Sequence, residues 1–186
     1  MIKKMRGFTL IELLIVVAII GILAALLIPN ALEAIQKAKQ KSAMKAIMTV
    51  STAAVDYITD HGDWTGVAQA GNLVSSNPFI DAIGGFYVKV VPVTDPWNTA
   101  YRAYVGTTVS TLVPGAVVPN APGVDDFAMA SSGRNKVPGP ISASNYTLAN
   151  PEGGLYNVTG MTAFDNDLAA WNGAWICAPR TTAVAS

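Results

Sequence analysis

Residues 8–28, FTLIELLIVVAIIGILAALLI, form an apolar run with a single ionisable side chain, Glu12. The run is long enough to cross a bilayer as a helix. Pro29 follows it, and a helical pattern of apolar residues resumes over residues 31–60. Unbroken, residues 8–60 make a helix of roughly 80 Å at 1.5 Å per residue. A chain of 186 residues cannot enclose such a helix, so its first half must find partners in lipid or in other subunits. A carboxylate at the centre of a membrane helix costs roughly 2.5–3.5 kcal/mol on insertion scales, and less near the end. Glu12 is therefore read as functional, and a partner is sought for it.

Position identifies one. A cut after Gly7 makes Phe8 the first residue and gives it a free α-amino group. Glu12 then lies about one helical turn away, and each charge favours the ionised form of the other. The pair is available within one chain or between neighbouring chains. Between chains it sets axial register, as buried polar groups do in some coiled coils.

The segment RGFTLIE at residues 6–12, with its apolar continuation, resembles the N-terminal signature of type IV pilins and type II secretion pseudopilins. The resemblance implies that a membrane-bound prepilin peptidase cuts between Gly7 and Phe8 and methylates Phe8. It gives Glu12 an assembly role and makes Pro29 the helix-kinking proline. It also implies a homo-oligomeric filament raised on an inner-membrane assembly platform.

The leader differs from a secretory signal, whose apolar region precedes the cleavage site. Here the apolar run follows the cut and is retained. Lys3, Lys4 and Arg6 keep the N-terminus cytoplasmic and place the rest across the membrane. A simple signal anchor is the plainer alternative. From residue 46 onward, ten acids face five bases, so nucleic-acid binding by the head is not expected. Cys177 is the only cysteine; no intramolecular disulfide can form, although many Gram-negative type IV pilins close a C-terminal loop with one.

Leu32, Ile35, Ala43, Ile47, Val50, Ala54 and Ile58 form an apolar stripe, with lysines 37, 41 and 45 on another face. Gly62 is the expected stop. FYVKVVPV (86–93), YRAYV (101–105) and DFAMA (126–130) are the expected strands. Residues 131–186 are rich in Gly, Asn, Ser and Pro and read as wrapped loops. The fold class is α+β: a long N-terminal helix and a small antiparallel sheet. The expected divisions are a leader (1–7), a transmembrane and filament-core helix (8–30) and a globular head (31–186).

No catalytic constellation stands out. His61 is the sole histidine, at the expected helix end, where a histidine is favoured by the helix dipole. The triplets Asn145-Tyr-Thr147 and Asn157-Val-Thr159 carry no weight as glycosylation acceptors. DPWNTAY (95–101) resembles the DPWGNPY stretch of type II secretion major pseudopilins and reads as an aromatic-anchored turn. SSGRN (131–135) and FDNDLAAW (164–171) resemble the two segments that build a calcium site in those pseudopilins. The resemblance makes Asp165, Asp167, Asn135 and backbone near Ser132 the ligands, and calcium does take six to eight such oxygens. Asn135 stands where the family usually has an acid. The expected function is a structural subunit of a type II secretion pseudopilus or related type IV pilus. It is held in the bacterial inner membrane before assembly and lies in a periplasmic or cell-surface filament afterwards. The alternative is a membrane-anchored periplasmic binding domain that does not polymerise.

Overall fold

The computed structural model describes residues 7–112, 122–139, 150 and 152–180. The leader cations Lys3, Lys4 and Arg6 and the Asn145 triplet lie outside them.

Thr9 and Gly62 bracket a single α-helix, α1 (Leu10–His61). Gly62 adopts φ +89°, and its N–H reaches the Ile58 carbonyl at 2.7 Å. This is the left-handed C-terminal cap for which glycine is favoured. Pro29 removes one backbone donor, yet the helix does not unwind there. Asn30, the next residue, is helical and turns its side-chain amide toward the Leu26 carbonyl, 3.5 Å away.

By its packing the chain forms two units, one ending at Ile35 and one beginning at Gln36. In the first, the apolar side chains from Phe8 to Ile28 stand exposed, and this stretch of α1 is long and apolar enough to cross a membrane. Leu32 and Ile35, on the expected apolar stripe, are exposed as well. Their periodicity continues past the point where the head begins.

In the second unit, α1 buries Ala43, Ile47, Val50, Ala53, Ala54 and Tyr57. These pack with Phe79, Ile83, Tyr101, Phe127, Met129 and Leu168 into the main core. The sheet has six strands: β1 (Ala70–Asn72), β2 (Arg102–Val105), β3 (Phe127–Ser131), β4 (Leu155–Tyr156), β5 (Leu168–Trp171) and β6 (Ala174–Pro179). Their order is β1-β2-β3-β5-β6-β4. Every pair is antiparallel except β4 with β6, so the sheet is mixed rather than purely antiparallel. Short helices α2 (Pro78–Ile83) and α3 (Val109–Leu112) complete it; Asn77 caps α2 by accepting the Phe79 N–H at 2.9 Å.

The strands expected at 101–105 and 126–130 are present, the first beginning one residue later and the second shifted by one residue. FYVKVVPV is not a strand. Phe86 and Val90 are exposed, and the segment makes only an isolated bridge between Gly84 and Val88. Gly84–Gly85 turns the chain just before it, and Pro92 has no N–H for a ladder. The C-terminal third is not all loop, because β5 and β6 form a hairpin. Asn172 (φ 45°) and Gly173 (φ 79°) make its turn, both left-handed as a type I′ turn requires.

Candidate functional site

The first turn of α1 is built around Glu12. Its Oε2 accepts from the Thr9 N–H at 2.9 Å and the Thr9 hydroxyl at 2.7 Å. The Glu12 N–H donates to Thr9 Oγ1 at 3.3 Å. This is a reciprocal capping box, and TLIE carries its Thr-x-x-Glu pattern. The sequence reading missed it. The box satisfies helix-end donors that have no intrahelical partner. Gly7 and Phe8 lie just outside it, with Phe8 81 % exposed. The structure therefore brings Glu12 and the Gly7–Phe8 junction to one helix end, with Thr9 as the group that holds the carboxylate.

In the head, DPWNTAY joins three elements. The buried Asp95 carboxylate accepts from the Trp97 N–H (3.1 Å), the Thr99 N–H (2.8 Å) and the Ser131 hydroxyl of β3 (2.7 Å). Trp97 is buried, and its indole N–H donates to Gln36 on α1 at 2.8 Å. The segment is an aromatic-anchored turn, as expected. His61 ends α1 stacked on Tyr57, with ring centroids 4.2 Å apart.

The two acidic loop segments meet cations supplied by the chain itself. Arg134 grips Asp165 with two hydrogen bonds, Nε to Oδ1 at 2.7 Å and Nη2 to Oδ2 at 2.9 Å. This holds the Asp165 carboxyl below the usual aspartate range, chiefly through the hydrogen bonds. Arg102 on β2 donates from Nη2 to Asp167 Oδ2 at 2.7 Å, and the Gly139 N–H donates to the same oxygen. Asn135 Oδ1 accepts from the Val137 N–H, closing a local turn. Ser132 is buried, and its hydroxyl has no hydrogen-bond partner among the described residues.

Asp165, Asp167, Asn135 and Ser132 thus lie on neighbouring loops but do not fit a calcium cage as arranged. Both oxygens of Asp165 and one of Asp167 already face guanidinium groups, and no group of three or more acidic, histidine or cysteine side chains converges among the described residues. Arg134, within SSGRN, is thus the partner of an acid that the resemblance makes a calcium ligand. Gly133 permits the arrangement: at φ +66° it lets the turn carrying Arg134 approach the Asn166 and Phe164 carbonyls, where a Cβ would clash. Cys177 lies beside the pair, donating its thiol to the Asp167 carbonyl at 3.1 Å. Burial pushes its pKa up to about 11, so it stays an unreactive thiol at neutral pH.

Residues 2–28 match the family model for the prokaryotic N-terminal methylation motif. Over 107 residues the chain is 35 % identical to the type II secretion system core protein G of Vibrio cholerae serotype O1, covering 54 % of this chain and 73 % of that protein. The chain belongs to the type IV pilin and pseudopilin family. It is also 37 % identical over 98 residues to a fimbrial protein of Neisseria meningitidis serogroup B, covering 53 % of this chain and 55 % of the relative. Against the core protein G of Pectobacterium carotovorum it is 30 % identical over 106 residues, 53 % of this chain and 66 % of the relative. The chain thus spans about half to two thirds of the length of these last two relatives. No solved structure matches it.

Proposed function

We propose that this pilin-family chain is a structural subunit, not an enzyme, and that it polymerises into a helical filament of the type IV pilus class. The observation that carries the reading is the exposed apolar stretch of α1. None of it is buried within the subunit, and an apolar surface of that extent requires lipid or other subunits to cover it. Lipid covers it in the inner membrane before assembly, and the same stretches of other copies cover it in the filament core. The relatives' names support this reading, being fimbrial proteins on one side and secretion core proteins on the other. A type II secretion pseudopilus and a surface pilus both remain within it. The partners are a prepilin peptidase and an inner-membrane assembly platform. The intact mass of the mature chain tests the reading. We expect loss of Met1 to Gly7 and gain of one methyl group on Phe8, with filaments visible by electron microscopy. A subunit that keeps its leader and stays unpolymerised in a host with an active prepilin peptidase would instead be a membrane-anchored binding domain.

We propose further that arginine, rather than calcium, staples the C-terminal loops. The support is the occupation of Asp165 by Arg134 and of Asp167 by Arg102. A chelator is expected to leave the melting curve of the chain in detergent unmoved. Asp165→Ala should lower stability by under about 1 kcal/mol, since the pair is about a third exposed and screened by solvent. Because the Asp165 carboxyl is held low, its contribution is fully present above about pH 4 and is lost as the pH falls below that. A calcium-dependent rise in melting temperature that Asp165→Ala abolishes would overturn this and restore the metal site.

A further inference from the structure

Within the head, the two ends of α1 carry surfaces of opposite charge. Toward its start, Lys37, Lys41 and Met44 form one wall of a groove of about 520 Å³, closed by Val158, Pro179 and Arg180. Its floor is apolar and its rim holds three cations, of which Arg180 is ion-paired to Glu152 at 2.7 Å. Toward the end of the helix, Asp56 and Asp60 flank a cleft of about 380 Å³ with Phe86 and Tyr87. Phe86 is 83 % exposed, although its ring rests edge-on against Tyr87. Tyr87 donates its hydroxyl to Asp60 at 2.9 Å and so braces the patch. Lys89 and the exposed Val90 follow in the chain.

The two surfaces are complementary in kind. One presents an exposed aromatic ring in a cleft with two carboxylates; the other presents an apolar floor beneath cations whose aliphatic stems can cover a ring. They are different surfaces of one molecule, so joining them between copies makes a heterologous contact, which extends without closing when the rotation does not close a ring. From Lys41 to Asp60 is about 28 Å along the helix at 1.5 Å per residue, so the contact would offset successive heads by a distance of that order.

We infer that the Phe86 patch, with Asp56 and Asp60, of one copy seats in the Lys37–Lys41–Arg180 groove of a second copy. The inference rests on the polymerisation proposed above and names the head contact that accompanies it. The test uses the full-length chain in a strain in which the wild type assembles. Lys41→Glu and Asp60→Lys should each lower filament yield about tenfold or more, because each sets like charges against one another. The double variant, which restores opposite charges, should recover most of the yield. Phe86→Ala should also lower yield, and it removes a ring too exposed to matter for folding. A chain carrying Thr59→Cys and Val158→Cys should form an inter-subunit disulfide ladder in sheared filaments, whereas neither single substitution should. Wild-type yield from the single charge reversals and Phe86→Ala, without a ladder, overturns the inference and leaves polymerisation standing. Failure of the double variant to recover, without a ladder, has the same meaning. If Lys41→Glu instead weakens only the retention of unassembled subunit on anionic vesicles, the groove faces lipid and the inference falls. Absence of filaments from the wild type would overturn the proposed function itself.

Discussion

Arg102→Ala should destabilise the head by about 3–5 kcal/mol, the range for breaking a buried ion pair by removing one partner. The Arg102 and Asp167 side chains are 9 % and 6 % exposed, 2.7 Å apart. Arg102 sits on β2 opposite Ala130 of β3, and Asp167 immediately precedes β5. The pair therefore ties together strands that are not neighbours in the sheet. Burial already pushes the Asp167 carboxyl above its ordinary range despite Arg102; without the guanidinium the charge keeps, among the described residues, the Gly139 N–H. A carboxyl raised in the folded state favours folding below its unfolded pKa and loses that contribution as pH rises through the folded one. The deficit of Arg102→Ala should thus be largest at neutral pH and shrink toward pH 4. Adding Asp167→Asn should recover part of the loss, because it removes the stranded charge. Thermal melts in detergent should show a fall of about 6–20 °C, taking 2–4 °C per kcal/mol for a chain of this size. A fall of under about 2 °C would mean that the pair is replaceable by water and that the loops are held elsewhere.

What the sequence displays and what it conceals have physical causes in this chain. The long helix is legible because its determinants are local: an apolar run, a 3.6-residue stripe and Gly62 as the stop. The capping box was equally local, but Glu12 was read only as a charge in an apolar run, and the Thr-x-x-Glu spacing went unused. FYVKVVPV has strand composition without a strand. β propensity reports fitness for a pleated, half-buried surface, and here no neighbouring strand supplies one. The C-terminal hairpin was concealed by the opposite error. Its strands are alanine-rich, LAAW and AWICAP, and Ile176 is their sole β-branched residue. The Asn172–Gly173 dipeptide between them was the available signal. The loop acids Asp165 and Asp167 are singled out by the sequence, as calcium ligands. Their partners are not, because Arg102 is distant in sequence and pairing across a sheet depends on topology.

Glu12→Ala is expected to leave membrane insertion intact or improved and to reduce filament yield about tenfold or more. Removing the carboxylate relieves an insertion cost of at most roughly 2.5–3.5 kcal/mol, so loss of filaments would not reflect failure to reach the membrane. Two effects of the substitution must be separated. Glu12 completes the box with Thr9, and losing such a cap costs about 0.5–2 kcal/mol of helix stability. Glu12 is also proposed to meet the Phe8 amine created by cleavage, within its own chain or in a neighbour. Glutamine can serve in a capping box but carries no charge. Glu12→Gln therefore preserves most of the cap and deletes the ion pair. Thr9→Val does the reverse, removing the hydroxyl that binds Glu12 while keeping the carboxylate. If charge sets register, Glu12→Gln should assemble as poorly as Glu12→Ala, and Thr9→Val should assemble near the wild-type level. If Glu12→Gln assembles normally and Thr9→Val fails, the carboxylate acts through the helix end alone. Register would then come from the packing of the apolar stretches of α1.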